Sequence, residues 1–367
     1  MGLGILITVN NKADEMLTNQ VSTVEVYEKI DQPTTYKIRF MVDICNEDIA
    51  KSLENNTDPE SVLGVLVESQ EKLHCLVSGP VSKQEAFLEQ GGAGSWLEVE
   101  GTDTSQLMDK TPLNLNHTGN DSDIVSGIIS PKYVRDPDVD DTPESTHEED
   151  KHALVQKETD LAFVRRLAQR NGFHFWITYD KDGNATGHFK PRNLQGEPVA
   201  ELLVNRPKYN IENLQIKWDT NRPTQTEGKQ IDQNSKEIIK SKVSLDDFDT
   251  LGSKGLDAVM KNAGSSMQIA PPSDDGGTMN SRGKAVLMVS FWFINATCKA
   301  NLNRICKLVR VHTIVNVQGV GSRHSGKYYV TGVRHTIDAT AHVMDIEMAR
   351  NAWGTAESGV TGSKILS

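Results

Sequence analysis

The sequence has no hydrophobic run of the length a membrane span needs. A spanning helix takes roughly 18 to 20 consecutive apolar residues, whereas the longest run, AVLMVSFWFI from Ala285 to Ile294, has the length of a strand. The start, MGLGILITVN, lacks a basic leader and a small-residue cleavage site, so no secretory signal is expected and assembly in the cytoplasm is. Cysteine is scarce. Cys45, Cys75, Cys298 and Cys306 form neither a CxxC pair nor a dense framework, which suits a reducing compartment and small, buried, apolar roles. Positive charge is also short: the net charge is −11 and the basic residues are dispersed, so phosphate-backbone binding, and with it a nucleic-acid partner, is not expected. The one short basic cluster, Arg304, Lys307 and Arg310, falls in an expected strand and reads as a solvated or subunit-facing edge.

What the chain does have is strand patterning. With 37% hydrophobic residues over 367, it can bury cores in two or three domains of about 100 to 200 residues each. The expected class is α+β, mainly β: two antiparallel β-barrels with an inserted mixed α/β lobe. Residues 1–100 read as the first barrel, where Val24, Val26, Ile38, Phe40, Val42 and Ile44 alternate with polar residues. A helix is expected near Glu60 to Glu68, strands at His74 to Val77 and Trp96 to Val99, and a turn at residues 91–94. Residues 101–206 read as the lobe. Asp103 or Thr104 starts one helix, Asp121 or Ser122 the next, and Ile124, Val125, Ile128 and Ile129 share a face. Residues 207–350 read as the second barrel, with a polar mobile insert near 220–282 and strands at Thr313 to Gln318, Lys327 to Val333 and Val343 to Met348. Residues 351–367, rich in Gly and Ser beyond Trp353, read as a flexible tail.

No arrangement of side chains predicts catalysis, a cofactor or a metal. Asp136, Asp138 and Asp140 begin like a calcium loop, but Asp141 and His147 stand where such a loop needs Gly and Glu, so a solvated acidic loop over 136–150 is expected. Ser322, His324 and Ser325 lack an orienting acid and read as a turn. Gly319, Gly321 and Gly326 precede a strand and miss the dinucleotide spacing, which leaves hairpin geometry. His174, His188, His335 and His342 each stand alone at strand positions, without metal-ligand spacing.

The most informative stretch is ETDLAFVRRLAQRNGFHFW, residues 158–176. Thr159 caps a helix, Asp160 sits at its positive end, Arg165, Arg166 and Arg170 crowd its negative end, and Asn171-Gly172 stops it. Leu161, Val164 and Ala168 share a face, with Phe163 and Leu167 beside them, so the helix should pack on a sheet while its arginines stay in water. Phe173, Phe175, Ile177 and Tyr179 should then line one side of a strand that turns at Asp182-Gly183.

This stretch resembles the matching segment of contractile-tail baseplate hub proteins, the phage late control protein D family. LEVEGTDTSQLMDK (97–110), DSDIVSGII (121–129) and VQGVGSRHSGKYYVTGVRHTID (317–338) resemble the same family in the same order. One departure is that KLVRVHTIV, residues 307–315, has no Pro-Gly turn ahead of the last segment. The resemblance implies a structural homotrimer at the centre of a phage tail or phage-like particle, and no enzyme. Each subunit would carry two tube-like barrels, so that a threefold spike meets a sixfold tube. A separate trimeric spike protein, the tail tube or its initiator, and other baseplate proteins are the implied partners. Two other readings stay open: a carbohydrate- or receptor-binding tail module using Trp176, Trp218 or Trp292, and a wall-degrading hydrolase using Asp138 and Glu148.

Overall fold

Strand alternation in the first hundred residues resolves into one side of a large sheet. The computed structural model describes residues 4–42, 53, 55–90, 94–143, 146–147, 154–205, 207–231, 236–261, 264–269 and 276–355. After β1 (Ile5–Val9) and α1 (Glu15–Gln20), β2 (Val21–Lys29) and β3 (Thr35–Met41) bury Val24, Val26, Ile38 and Phe40 completely. Val42 is partly buried; Ile44 and Cys45 lie outside the described residues.

The helix expected near Glu60 to Glu68 is instead β4 (Val62–Ser69). Period-two alternation is missing there because both faces are covered. Val65 and Val67 enter one core and Leu66 another, so the strand reads as a continuous apolar run. β4 pairs with β5 (Lys72–Phe87), whose far half pairs with β6 (Trp96–Thr102).

The lobe follows. Asp103 caps a 3₁₀ turn over Thr104–Asp109, and α2 (Asp121–Ile129) buries Ile124, Val125 and Ile129. The acidic stretch is not a solvated loop where it is described. Asp136–Val139 forms β7, parallel to a later strand, and His147 is buried against Asp121 at 2.9 Å; Glu148 lies outside the described residues. α3 (Asp160–Asn171) has the expected ends: the Thr159 hydroxyl accepts from Ala162 N, and Gly172 takes φ +70°. Its arginines, however, are not all wet. Arg166 is exposed, but Arg170 reaches the fully buried Asp121 at 3.3 Å, and Arg165 is half-buried. A buried carboxylate at the start of α2 gives Arg170 a partner that exposure arguments on α3 alone do not see. The hairpin β8 (His174–Tyr179) and β9 (Ala185–Lys190) turns where expected and buries Phe175, Ile177 and Tyr179.

In the last third, β10 (Ala200–Leu203) and β11 (Ile211–Trp218) lead into the polar insert. Its described residues are not a mobile loop. β12 (Pro223–Ile231), β13 (Ile238–Ser244) and β14 (Ser265–Ile269) make a three-stranded sheet, and α4 (Gly276–Ser290) packs on it. Residues 285–290, expected as strand, are the end of that helix. Ala285 and Leu287 are buried and Val289 is 56% exposed, a contrast that the all-apolar run conceals. The close packing depends on Gly283, where an added Cβ would stand 2.9 to 3.1 Å from Thr226, Ile269 and Val243. At the other end of the helix, an added Cβ at Gly172 would meet Met288 Sδ at 2.8 Å. We expect Gly172→Val to destabilise the fold by about 1 to 3 kcal/mol in chemical denaturation, through left-handed backbone strain and this clash together.

β15 (Ile294–Asn301), β16 (Ile314–Gln318), β17 (Gly326–Asp338) and β18 (His342–Arg350) are the long strands that follow, with Met344, Ile346 and Met348 buried in the expected alternation. Of the expected tail, Ala352–Trp353 pairs with Lys254–Gly255, and residues 356–367 lie outside the described residues.

The architecture is mainly β, as expected. Thirteen strands form one sheet in the order β11-β15-β18-β17-β2-β3-β6-β5-β4-β1, ending on Lys12–Ala13, with β16 pairing β17 and β10 pairing β16. The junction of its halves is β17 on β2, Gly332↔Lys29 through Asp338↔Thr23. Each half covers its own hydrophobic cluster, and the lobe has a third. Behind the junction, Arg310 Nε donates to Glu28 Oε1 at 2.6 Å, and its Nη1 and Nη2 donate to the carbonyls of Cys75 and Leu76 at 2.8 and 2.9 Å. Arg310 is thus no solvated edge residue. Arg304 and Lys307 are exposed, but on a helical turn and the loop after it rather than on a strand.

Candidate assembly face

The side of the sheet turned away from both clusters is polar across eight neighbouring strands: β11, β15, β18, β17, β2, β3, β6 and the far half of β5. Register sets charges of alternating sign beside one another. One cross-strand row runs Glu25, Lys37, Glu100, Lys83, and another runs Lys299, Asp345, Arg334, Tyr27. Lys37 bridges Glu98 and Glu100, both at 2.9 Å; Arg39 reaches Glu98 at 2.8 Å, Lys83 reaches Glu100 at 3.2 Å, and Lys29 reaches Glu347 at 3.1 Å across the junction. The hydrogen bonds from Lys37 and Lys83 hold the Glu100 carboxyl below its ordinary range. Burial pushes Glu98 upward, and its bonds to Lys37 and Arg39 overcome that and leave it lowered. The more exposed cross-strand pairs, those of Glu100 and Glu347, contribute about 0.2 to 1 kcal/mol each, so they set register and surface character more than stability.

Tyr27 and Arg334 sit where two shallow concavities of about 360 and 240 Å³ meet. The Tyr27 hydroxyl donates to Glu347 at 3.2 Å and Arg334 lies over its ring at 5.2 Å. Among the described residues, neither end of this face has a further strand beside it. β11 pairs only with β15 and exposes Glu212, Asn213, Gln215, Lys217 and Trp218, while residues 82–87 of β5 pair only with β6 and are all exposed. At that second edge, Met41, Trp96 and Phe87 form an apolar cross-strand row. Phe87 stacks on Trp96 at 5.7 Å, Arg39 covers Trp96 at 4.4 Å, and Met41, Phe87 and Leu88 are 50%, 48% and 62% exposed. The sequence reading found the alternation but not this face, because cross-strand rows exist only once register is known.

The residues weighed for chemistry are placed differently from expectation in several cases. The histidines do not stand alone. His335 Nδ1 lies 3.0 Å from His342 Nε2, His174 contacts Asp31 at 2.8 Å, and His188 contacts Asp138 at 2.8 Å. Each pairing crosses strands or lobes, which linear spacing cannot reveal. Asp138 and Asp140 pair with Lys190 at 2.5 and 3.5 Å. Ser322 and His324 lie in a short helical turn and Ser325 closes it; Gly319, Gly321 and Gly326 take positive φ, the hairpin role expected of them. Trp292 is 4% exposed, Trp176 is stacked between His188 and His312, and Trp218 is 53% exposed, so the three do not form one binding surface. Cys75 and Cys298 are buried, and burial pushes both thiols up to about 12; Cys306, contrary to expectation, is exposed. Among the described residues no three His, Cys, Asp or Glu side chains converge as metal ligands, and no helix is long and apolar enough to cross a membrane.

The sequence profile of the Alg8 N-terminal domain matches residues 4–339. The chain belongs to that family. Its fold is also that of solved tail proteins. A tail protein from Neisseria meningitidis superposes with TM-score 0.66 at 14% identity, covering 95% of this chain and 96% of that one. The 43 kDa tail protein of prophage MuSo2 from Shewanella oneidensis gives 0.63 at 10%, covering 95% and 98%. An Escherichia coli component of the type VI secretion system, described as similar to T4 bacteriophage tail proteins, gives 0.57 at 12%, covering 95% and 78%. Among curated proteins none matches. The matching profile is that of the Alg8 N-terminal domain, and late control protein D remains a resemblance carried by short segments.

Proposed function

We propose that the chain is the central hub of the baseplate of a contractile injection machine, a structural homotrimer that adapts a threefold spike to a sixfold tail tube. The observation that carries this reading is the eight-strand polar face that crosses both halves and has, among the described residues, an unpaired edge at each end. In a head-to-tail ring, the β5 edge of one copy would stand beside β11 of the next, a heterologous contact that closes when the rotation is threefold. The polar face would then wall a water-filled channel. Its alternating charges leave no dominant sign to hold a passing molecule. Two hydrophobic clusters per copy under one continuous sheet support two tube-like units per copy, six per ring.

On this reading residues 1–100 and 207–350 are the tube-like units, 101–206 the inserted lobe, and the chemistry is assembly rather than catalysis. Partners would be a separate trimeric spike, the tube or its initiator, and other baseplate proteins, in a phage tail or phage-like particle assembled in a bacterial cytoplasm. Co-expression with the tube and spike proteins of the same particle tests it. The expected result is one co-purifying complex containing three copies of this chain; a chain that purifies free of both, at concentrations where tube and spike are folded, would overturn the reading.

A further inference from the structure

The two open edges of the eight-strand face carry complementary residues. Every neighbouring pair across that face is antiparallel, so β11 and β5 run in opposite directions. In the ring proposed above, on which this inference rests, the alternation continues across the contact, and β5 of one copy meets β11 of the next antiparallel. Backbone hydrogen bonds show which residues point outward. Asp219 N, just past β11, donates to Phe293 O at 2.8 Å. Gln215, Lys217 and Asp219 therefore turn their amides to β15, and Leu214, Ile216 and Trp218 turn theirs to the open edge. Val42 N donates to Ser95 O at 3.1 Å, which directs the amides of Trp96, Glu98 and Glu100 to β5. Their partners Phe87, Glu85 and Lys83 face β6, so Gln84 and Ala86, with Leu88 next, face the open edge.

Side chains follow the same alternation. Lys83, Glu85 and Phe87 stand on the polar side of one edge, and Gln215, Lys217 and Asp219 on that of the other. Gln84, Ala86 and Leu88 share the side of buried Leu97 and Val99; Leu214, Ile216 and Trp218 share that of buried Cys298, Ala296 and Ile294. Keeping each side continuous across the contact allows the register to shift only in steps of two residues. Lys83 opposite Lys217 is repulsive, and so is Glu85 opposite Asp219. The register between these two sets Glu85 opposite Lys217 and Lys83 opposite Asp219, with Ala86 opposite Ile216 and Leu88 opposite Leu214 behind them. Larger shifts bring Ala86 against Glu212 or Thr220 and lose the apolar match. Glu85 and Lys217 are exposed and have no ion-pair partner among the described residues. We propose that β5 of one copy and β11 of the next form a continuous antiparallel sheet in this register, with Glu85 of each copy paired to Lys217 of its neighbour.

The test is oxidative cross-linking of the full chain, with Cys306→Ser in every variant, at concentrations where light scattering shows assembly. In the proposed register Glu85 and Lys217 form a non-hydrogen-bonded pair with Cα atoms about 4.5 Å apart, whereas Gln215 and Asp219 lie about 7 to 8 Å from Glu85 on the diagonals. Glu85→Cys with Lys217→Cys should give disulfide-linked dimers and trimers on a non-reducing gel. Their yield should be at least about fivefold that of Glu85→Cys with Gln215→Cys or with Asp219→Cys. Lys217→Glu alone should weaken assembly about fivefold or more, and adding Glu85→Lys should restore it. Stronger cross-linking by either diagonal pair overturns the register and leaves the ring standing. An assembled parent in which none of the three pairs cross-links overturns the edge contact. A parent that stays a single chain with tube and spike present overturns the ring, and this proposal with it.

Discussion

Replacing Glu28 by alanine should cost the fold about 3 to 5 kcal/mol in chemical denaturation, because it strands a guanidinium at the junction of the two halves. Glu28 is 4% exposed and accepts from Arg310 and from the backbone N of Val311. Arg310 keeps its bonds to the Cys75 and Leu76 carbonyls but loses its counter-charge. Removing both partners together, Glu28→Gln with Arg310→Met, should cost less than Glu28→Ala alone, since no unpaired charge is left behind.

The same pair predicts an acid limb. Burial alone would raise the Glu28 carboxyl, but the Arg310 charge, the neighbouring His335 and the hydrogen bond from Arg310 together outweigh it, and the group falls from 4.5 to about 2. The unfolded chain therefore takes up this proton first, and the stability Glu28 supplies, complete above pH 4.5, is lost as pH falls toward 2. His342 adds to the loss earlier. Burial, and then its neighbour His335, lower it from 6.5 to about 3, so unfolding is favoured progressively below pH 6.5. Denaturation midpoints should decline from pH 6.5 downward and steepen below 4.5; His342→Phe should flatten the upper part and Glu28→Gln the lower. A midpoint that stays level from pH 7 to 4 in the parent chain would contradict this account.

The second large effect concerns assembly rather than stability. Phe87 and Leu88 are about half exposed or more at the β5 edge, so Phe87→Asp with Leu88→Asp should cost the single chain only about 1 kcal/mol, mainly the lost stacking of Phe87 on Trp96. If that edge meets the next copy, the same change buries two carboxylates in an apolar contact and should break the ring. In sedimentation velocity the variant should run as a single chain of 40.5 kDa at concentrations where the parent is assembled. An unchanged sedimentation coefficient would remove this edge from the proposed contact. Lys83→Ala, in the exposed charge network of the same edge, should have a far smaller effect.

What was legible in the sequence is what neighbours along the chain decide. The Thr159 cap, the Gly172 stop and the alternation in β2, β3 and β18 depend on residues a few positions apart. Elements covered on both sides were misread, since β4 and the end of α4 are apolar runs without a period that separates strand from helix. Pairings between distant segments could not be read at all. Arg310 and Glu28 are 282 positions apart, and the acid that orients His188 comes from β7, itself expected as loop. The charged face was hidden for the same reason: Lys37 looks like any exposed lysine until register sets Glu98 and Glu100 beside it.

The most direct test of the hub is the absolute mass of the purified full-length chain by light scattering on a sizing column, across a wide range of concentrations. The account predicts a species at three times 40.5 kDa. A chain that remains a monomer at the highest concentration, and still does so when the spike protein is present, would contradict it.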